Sequence, residues 1–217
     1  MRRVMRHMSA SARWRALAVS SLVLFLLLSV AAAHGPLPGD VTLRDAVKAQ
    51  VPPEAMVVAH AINLGGTWMV LVPAAAGLYA LSRRGRGRWW LWGLALVGAP
   101  LVENAWKALV ARPRPEGTAY GFPSGHATAA AVFVVVALYL STRTRLRAGR
   151  LMGLAALVLV LGVGVGAARI ALGAHWGSDV LGGWLLGAAC GGAAAWWDSA
   201  HAGAARDHGA RAAAAVD

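Results

Sequence analysis

Lys107, Arg114, Ser124, Gly125, His126, Arg169, His175 and Asp179 are the residues of this chain whose types and order can do chemistry together. Three cations, two imidazoles, one carboxylate and a helix start suit a phosphate. Lys and Arg donate charge-assisted hydrogen bonds to phosphate oxygens, and the free backbone N–H groups of a helix N-terminus add an anion-binding surface. Pro123-Ser124-Gly125-His126 supplies such a start: it precedes an apolar run, Ser124 can donate a hydroxyl hydrogen bond, and Gly125 permits close backbone approach. Further on, the Asp179 carboxylate follows His175 by four residues. If that segment is helical the two share a face. The carboxylate can then accept one ring N–H, fix the tautomer and leave the other nitrogen a better nucleophile.

Each of these residues also has a blander explanation. Lys107 follows Glu103 by four residues, so it fits an ordinary helical ion pair, or a lysine snorkelling from a helix end. Arg112 and Arg114, each followed by proline, fit surface charges. Ser124 to His126 fit a capped helix with an incidental histidine. His126, His175 and Asp179 could together ligate zinc or iron, but Lys107, Arg114 and Arg169 would repel a divalent cation while stabilising phosphate oxygens. No metal or other cofactor is therefore expected.

The elements that must position these side chains are apolar. Of 217 residues 58% are hydrophobic and only 14% charged, and the mean hydropathy of +0.56 places the chain in the membrane class. The net charge of +12 does not form a basic soluble face, since the Lys and Arg fall in short clusters between apolar runs, and no nucleic-acid partner is expected. Cys190, the single cysteine, can form neither an intramolecular disulfide nor a thiolate metal site alone.

The fold class expected is an all-α integral membrane bundle of six transmembrane helices. Residues 1–15 form a basic N-terminus, 16–197 a six-span domain, and the Ala-rich 198–217 a disordered tail. The uncharged run 16–33 is read as a first span over a cleaved signal peptide, because it exceeds the roughly 7–15 residues usual for a signal core. A loop at 34–54 carries a short interfacial helix over Val41 to Lys48 with Asp40 as its cap, and nothing in it suggests catalysis. Further spans run from about 55 to 81 with an interruption at Gly65-Gly66, from Trp89 to about 110, from Ser124 to about 140, from about 151 to 168 and from about 180 to 197.

Charge then sets the topology. The N-terminus holds five Lys and Arg, the loops near 82–88 and 141–150 four each, and the tail two, together fifteen of twenty-one. By the positive-inside rule these segments are cytoplasmic, which puts loops 34–54, 111–123 and 169–179 on the outer face of the plasma membrane. Tryptophans 89, 90, 92, 196 and 197 are expected as anchors at the inner interface, and Trp106 and Trp176 at the outer one.

The order Lys107-x6-Arg114-Pro115, then Pro123-Ser124-Gly125-His126, then Arg169-x5-His175-x3-Asp179 resembles the type 2 phosphatidic acid phosphatase family. One departure is Ala168, where the family's third motif usually carries serine. The resemblance implies a metal-independent lipid phosphatase in which His175 attacks phosphorus to form a phosphohistidine, oriented by Asp179. His126 would protonate the leaving oxygen and then activate water. Lys107, Arg114, Ser124, Gly125 and Arg169 would hold the phosphate. Undecaprenyl diphosphate, phosphatidic acid and phosphatidylglycerophosphate are the family's usual substrates, and the sequence does not separate them. A lipid phosphotransferase is the nearest enzymatic alternative. A transporter of anionic lipid is a non-enzymatic one, opposed by span interiors almost free of ionisable residues. The oligomeric state stays open.

Overall fold

The computed structural model describes residues 9–81, 89–142 and 148–214. Eight α-helices occur among them: α1 Ala10–Ala32, α2 Asp40–Gln50, α3 Met56–Leu64, α4 Trp68–Leu81, α5 Trp89–Val110, α6 Gly125–Ser141, α7 Ala148–Ala171 and α8 Gly177–Ala214. No strand is found among the described residues, only one antiparallel bridge between Pro113 and Tyr120. The basic clusters at 1–8, 82–88 and 143–147 lie outside the described residues.

Helix α8 is the hub, and glycine makes it so. Without a hydrophobic driving force between apolar helices in lipid, close backbone approach through small residues supplies the packing. A Cβ on Gly183 or Gly187 would lie 2.5 Å from the carbonyl oxygens of Ser124 and Thr128, and one on Gly191 2.9 Å from the Val135 Cβ. These three glycines, one turn apart, seat α8 directly on α6. Gly192 lies against the Ala18 backbone of α1, and Gly166 of α7 against Val180 and Trp184 of α8. Leu91, Trp92, Ala95 and Ala99 of α5 complete a core with Val132, Val136, Tyr139 and Leu140 of α6 and Ala194 and Ala195 of α8.

Among the described residues two helices, Ala10–Ala32 and the Gly177–Ala202 part of α8, are long and apolar enough to cross a membrane. The pair Pro53–Leu64 and Trp68–Ala80, bent by 48°, makes a third when taken as one broken span, while α6 and the Ala155–Ala171 part of α7 are shorter apolar helices. The break falls at the expected Gly65-Gly66. Packing excludes a larger residue there: a Cβ on Gly66 would come within 2.8 Å of both the His126 Cβ and the Val165 Cγ1.

Among the described residues α8 continues past Asp198 to Ala214, and the alanines there carry the highest helix propensity. One expectation needs correction. Asp40 is not the cap of α2. Gly39 holds that position, and the Asp40 carboxylate is buried in tertiary contacts instead. Trp92 packs on Tyr139, Trp106 donates to the Ser29 hydroxyl at 2.9 Å, and Trp176 donates to the Pro113 carbonyl at 3.1 Å.

The three polar segments expected on one surface do meet at one end of the bundle. Asp40 reaches Ser178, Lys48 of α2 pairs with Glu116, and Arg44 lies over the Trp176 ring.

Candidate active site

The first half of the site is the start of α6. Ser124 stands at the N-cap with extended backbone angles, yet its hydroxyl caps nothing. It is completely buried, without a hydrogen-bond partner. A buried donor left unmade costs about 1–3 kcal/mol, so this hydroxyl is held for something other than the helix. Its backbone N–H donates to the Asp179 carbonyl at 2.9 Å, tying α6 to α8. At Gly125 a Cβ would lie 3.0 Å from Glu103 Oε1. Glu103 is itself buried and ion-paired with Lys107. The ordinary i,i+4 pair is therefore present, and it also brings Lys107 up to the helix start.

The second half is the turn from α7 into α8. The chain closes tightly after Arg169, whose carbonyl accepts from the backbone N–H groups of Ala174 at 3.1 Å and His175 at 3.3 Å. Gly173, at φ 65°, makes this turn possible, with the Glu116 carboxylate packed against it. Arg169 and His175 are thus locked together. Asp179 sits in the first turn of α8, where Oδ2 accepts from the Trp176 backbone N–H at 2.9 Å, as the third helical residue does in a capping box. The same oxygen lies 3.5 Å from His175 Nδ1, and both side chains are shut off from solvent. The carboxylate faces the imidazole, as the four-residue spacing requires.

Burial pushes His175 down to about 4, opposed by Asp179 and reinforced by the charges of Arg169 and Arg114. The imidazole is therefore neutral at neutral pH, the form in which its second nitrogen carries a free lone pair.

The remaining cations converge on the same place. Arg169 Nη1 donates to Asn63 Oδ1 of α3 at 3.0 Å, while its buried Nε has no partner. Arg114 Nε donates to the Tyr120 carbonyl at 3.1 Å across a tight loop. Lys107, Arg114, Arg169 and His175 all act electrostatically on His126. The structure thus gathers every one of the eight residues singled out from the sequence. Ala168, in place of the family's serine, is buried in an apolar cluster with Ala59 and Ala171.

Four contributors escaped the sequence. Arg112 is no surface charge: it is 2% exposed and bonded to Asp179, Ser178 and Asp40. Asp40 and Asn63 are the others on polar duty, and Gly121 leaves room for Asp179, since a Cβ there would lie 2.7 Å from Oδ2. A polar Asn63 inside an apolar span, next to the glycine break, was a usable signal.

Beside His126 a cavity of about 450 Å³ opens, lined by Thr67, Trp68, Met69, Leu71 and Val72 around α4, by Leu96 and Pro100 of α5, and by Glu103, Gly125 and His126. Its walls are apolar except where Thr67, Glu103 and His126 face it.

The family model of the PAP2 superfamily matches residues 88–202, which include all eight of these residues. The chain belongs to the PAP2 superfamily. It resembles the crystal structure of a transmembrane PAP2-type phosphatidylglycerolphosphate phosphatase from Bacillus subtilis, with a TM-score of 0.72 and 26% identity over 83% of this chain and 95% of that one. It also resembles the Aquifex aeolicus LpxE structure in fold, with a TM-score of 0.56 and 19% identity over 71% of this chain and 93% of that one. Among curated proteins none matches the sequence. The all-helical bundle is thus the PAP2 membrane fold.

Proposed function

We propose that this PAP2 protein is a metal-independent lipid phosphatase working through a phosphohistidine. The observation that carries the reading is the buried, unpartnered Ser124 hydroxyl at the N-terminus of α6, two residues before His126, on which the charges of Arg169, His175, Lys107 and Arg114 act. A donor placed in this way fits an oxyanion, and backbone N–H groups at the helix start add to it. The Bacillus subtilis relative is named for acting on a lipid phosphate, which supports the same class of substrate here.

In the proposed reaction the neutral His175 attacks phosphorus through Nε2 while Asp179 accepts from Nδ1 and stabilises the imidazolium that forms. As the N–P bond forms, the bond from phosphorus to the leaving oxygen breaks. His126 gives its proton to that oxygen. His126 next takes a proton from water, whose oxygen attacks phosphorus; the N–P bond breaks and inorganic phosphate leaves. Lys107, Arg114, Arg169, the Ser124 hydroxyl and the Gly125 N–H hold the equatorial oxygens, where charge is spread in the transition state. These fixed cations do the neutralising that Mg²⁺ does in other phosphoryl-transfer sites.

The apolar cavity beside His126 suits an acyl or prenyl chain, with the scissile phosphate at its polar end. In this reading the chain crosses the membrane six times with both termini cytoplasmic, and that end opens at the outer face of the plasma membrane; the fifteen-of-twenty-one charge bias supports this orientation.

The test is phosphate release by detergent-solubilised protein from phosphatidic acid, phosphatidylglycerophosphate and undecaprenyl diphosphate, each with and without excess chelator. Turnover of at least one, unaffected by chelator and inhibited by vanadate, is the expected result. Loss of turnover with chelator and its return with zinc would favour the metal reading of His126, His175 and Asp179.

A further inference from the structure

Buried charge outside the motif residues centres on Arg112. One terminal nitrogen of its guanidinium donates to Asp179 Oδ1 at 2.8 Å and Ser178 Oγ at 2.7 Å, and the other donates to Asp40 Oδ2 at 2.6 Å. Asp40 also accepts from the Ser178 backbone N–H at 2.8 Å, the Ser178 hydroxyl at 2.6 Å and the Leu37 N–H at 2.8 Å. Burial by itself would raise the Asp40 carboxyl, but the hydrogen bonds from Ser178, Leu37 and Arg112 outweigh it and hold the group below the ordinary range. Asp40 is therefore a carboxylate. It lies outside residues 88–202 matched by the family model.

One guanidinium thus serves two carboxylates, and only one of these touches His175. Asp40, Arg112 and Asp179 together carry a net single negative charge. Were Asp40 neutral, Arg112 would cancel Asp179, and His175 would face Arg169 from α7, Arg114 from the loop and His126 from α6 with no net counter-charge. We propose that Asp40 is a positioning residue: by drawing on Arg112 it leaves Asp179 with negative charge to offer His175 where the imidazole turns cationic. This rests on the reading of His175 as nucleophile. Because Asp40 opens α2, it also makes the docking of that surface helix a condition for a fully tuned nucleophile.

A simple structural clamp would use the same contacts, so the test must read charge. Histidine-¹⁵N-labelled protein in micelles is titrated by NMR, with the His175 signal assigned from His175→Gln. Asp40→Asn, near in shape but neutral, should leave His175 less protonated than wild type at every pH. Arg112→Gln should raise its midpoint by on the order of one unit. The double variant restores the net charge and should return the midpoint to that of wild type. Coincident titrations in all the folded variants would make Asp40 a clamp only and overturn the proposal. Should Asp40→Asn not fold, Arg112→Gln decides alone, and an unshifted midpoint there overturns it equally. No substrate enters this experiment, so failure to find a phosphoenzyme would remove the mechanism without touching the titration order. Where the mechanism holds, Asp40→Asn should lower kcat at least tenfold with KM within twofold. A loss confined to KM would count against the proposal.

Discussion

Gly183 of α8 packs so closely on Ser124 that a Cβ would stand 2.5 Å from the Ser124 carbonyl oxygen and 2.9 Å from the Ala127 Cβ. The Ser124 N–H meanwhile donates to the Asp179 carbonyl at 2.9 Å. These contacts fix the register between the helix carrying His126 and the one carrying His175, so the spacing of the two imidazoles depends on a residue with no side chain. The neighbour on one side is backbone, which cannot rotate away.

Gly183→Ala should therefore cost about 1–3 kcal/mol through overpacking and should depress activity well beyond its loss of stability, because α8 is pushed off the start of α6. Gly98→Ala is the control. Its Cβ would meet nothing nearer than Leu94 at 3.9 Å, and alanine is the better helix former. Thermal unfolding in detergent, with activity measured on the folded fraction, checks both. Equal behaviour of the two variants would refute the register argument.

The buried His175 makes a pH prediction with a definite sign. Its folded pKa is lowered to about 4, against about 6.5 for an unfolded histidine. Between those values the unfolded chain binds a proton that the folded one does not, so this residue makes stability fall as the pH drops from about 6.5 toward 4 and contributes no slope above. His175→Gln, which cannot titrate, should lose less melting temperature than wild type over that window. Parallel losses would mean that His175 is not buried in its neutral form.

Much of this arrangement was legible in the sequence because lipid leaves few options. The helix expected from Trp89 to about 110 is present as α5, Trp89–Val110. The break at Gly65-Gly66 was equally visible. What stayed hidden were partnerships between segments far apart in the chain. Arg112 read as a surface charge and Asp40 as a helix cap, since their meaning lies in a contact between residues 72 apart in the chain. The N–H partners of Trp106 and Trp176, Ser29 and Pro113, were likewise invisible in the sequence, since an indole offers the same donor wherever it occurs. The tail's alanines point two ways, since alanine is both a mark of low complexity and the strongest helix former.

The sidedness of the site can be read with a single thiol. Thr118 is exposed near the tip of the loop that carries Arg114. With Cys190 replaced, Thr118→Cys should react with a membrane-impermeant thiol reagent in intact cells. Labelling only after lysis would turn the topology over and place the two imidazoles on the cytoplasmic face.

The two histidines should fail in different ways. His175 lies 3.5 Å from a carboxylate that is itself held by a backbone N–H and by Arg112, so its ring is oriented and charge-supported. His126 has no such carboxylate partner among its described contacts. It stands at the start of α6, against the glycine break and at the polar end of the apolar cavity, where a leaving oxygen would sit. Removing His175 by His175→Ala should abolish both turnover and the phosphoenzyme, at a cost above the roughly 10²–10⁴-fold of losing one acid–base group. His126→Ala keeps the nucleophile but loses the proton donor and the activator of water. With an aryl phosphate, whose leaving group needs no proton, it should still form the phosphoenzyme and then stall, because no base remains to activate water. Rapid-quench trapping with ³²P-labelled substrate separates the cases. A phosphoenzyme in His175→Ala, or none in His126→Ala with the aryl phosphate, would mean that the roles are exchanged or that no phosphohistidine lies on the path.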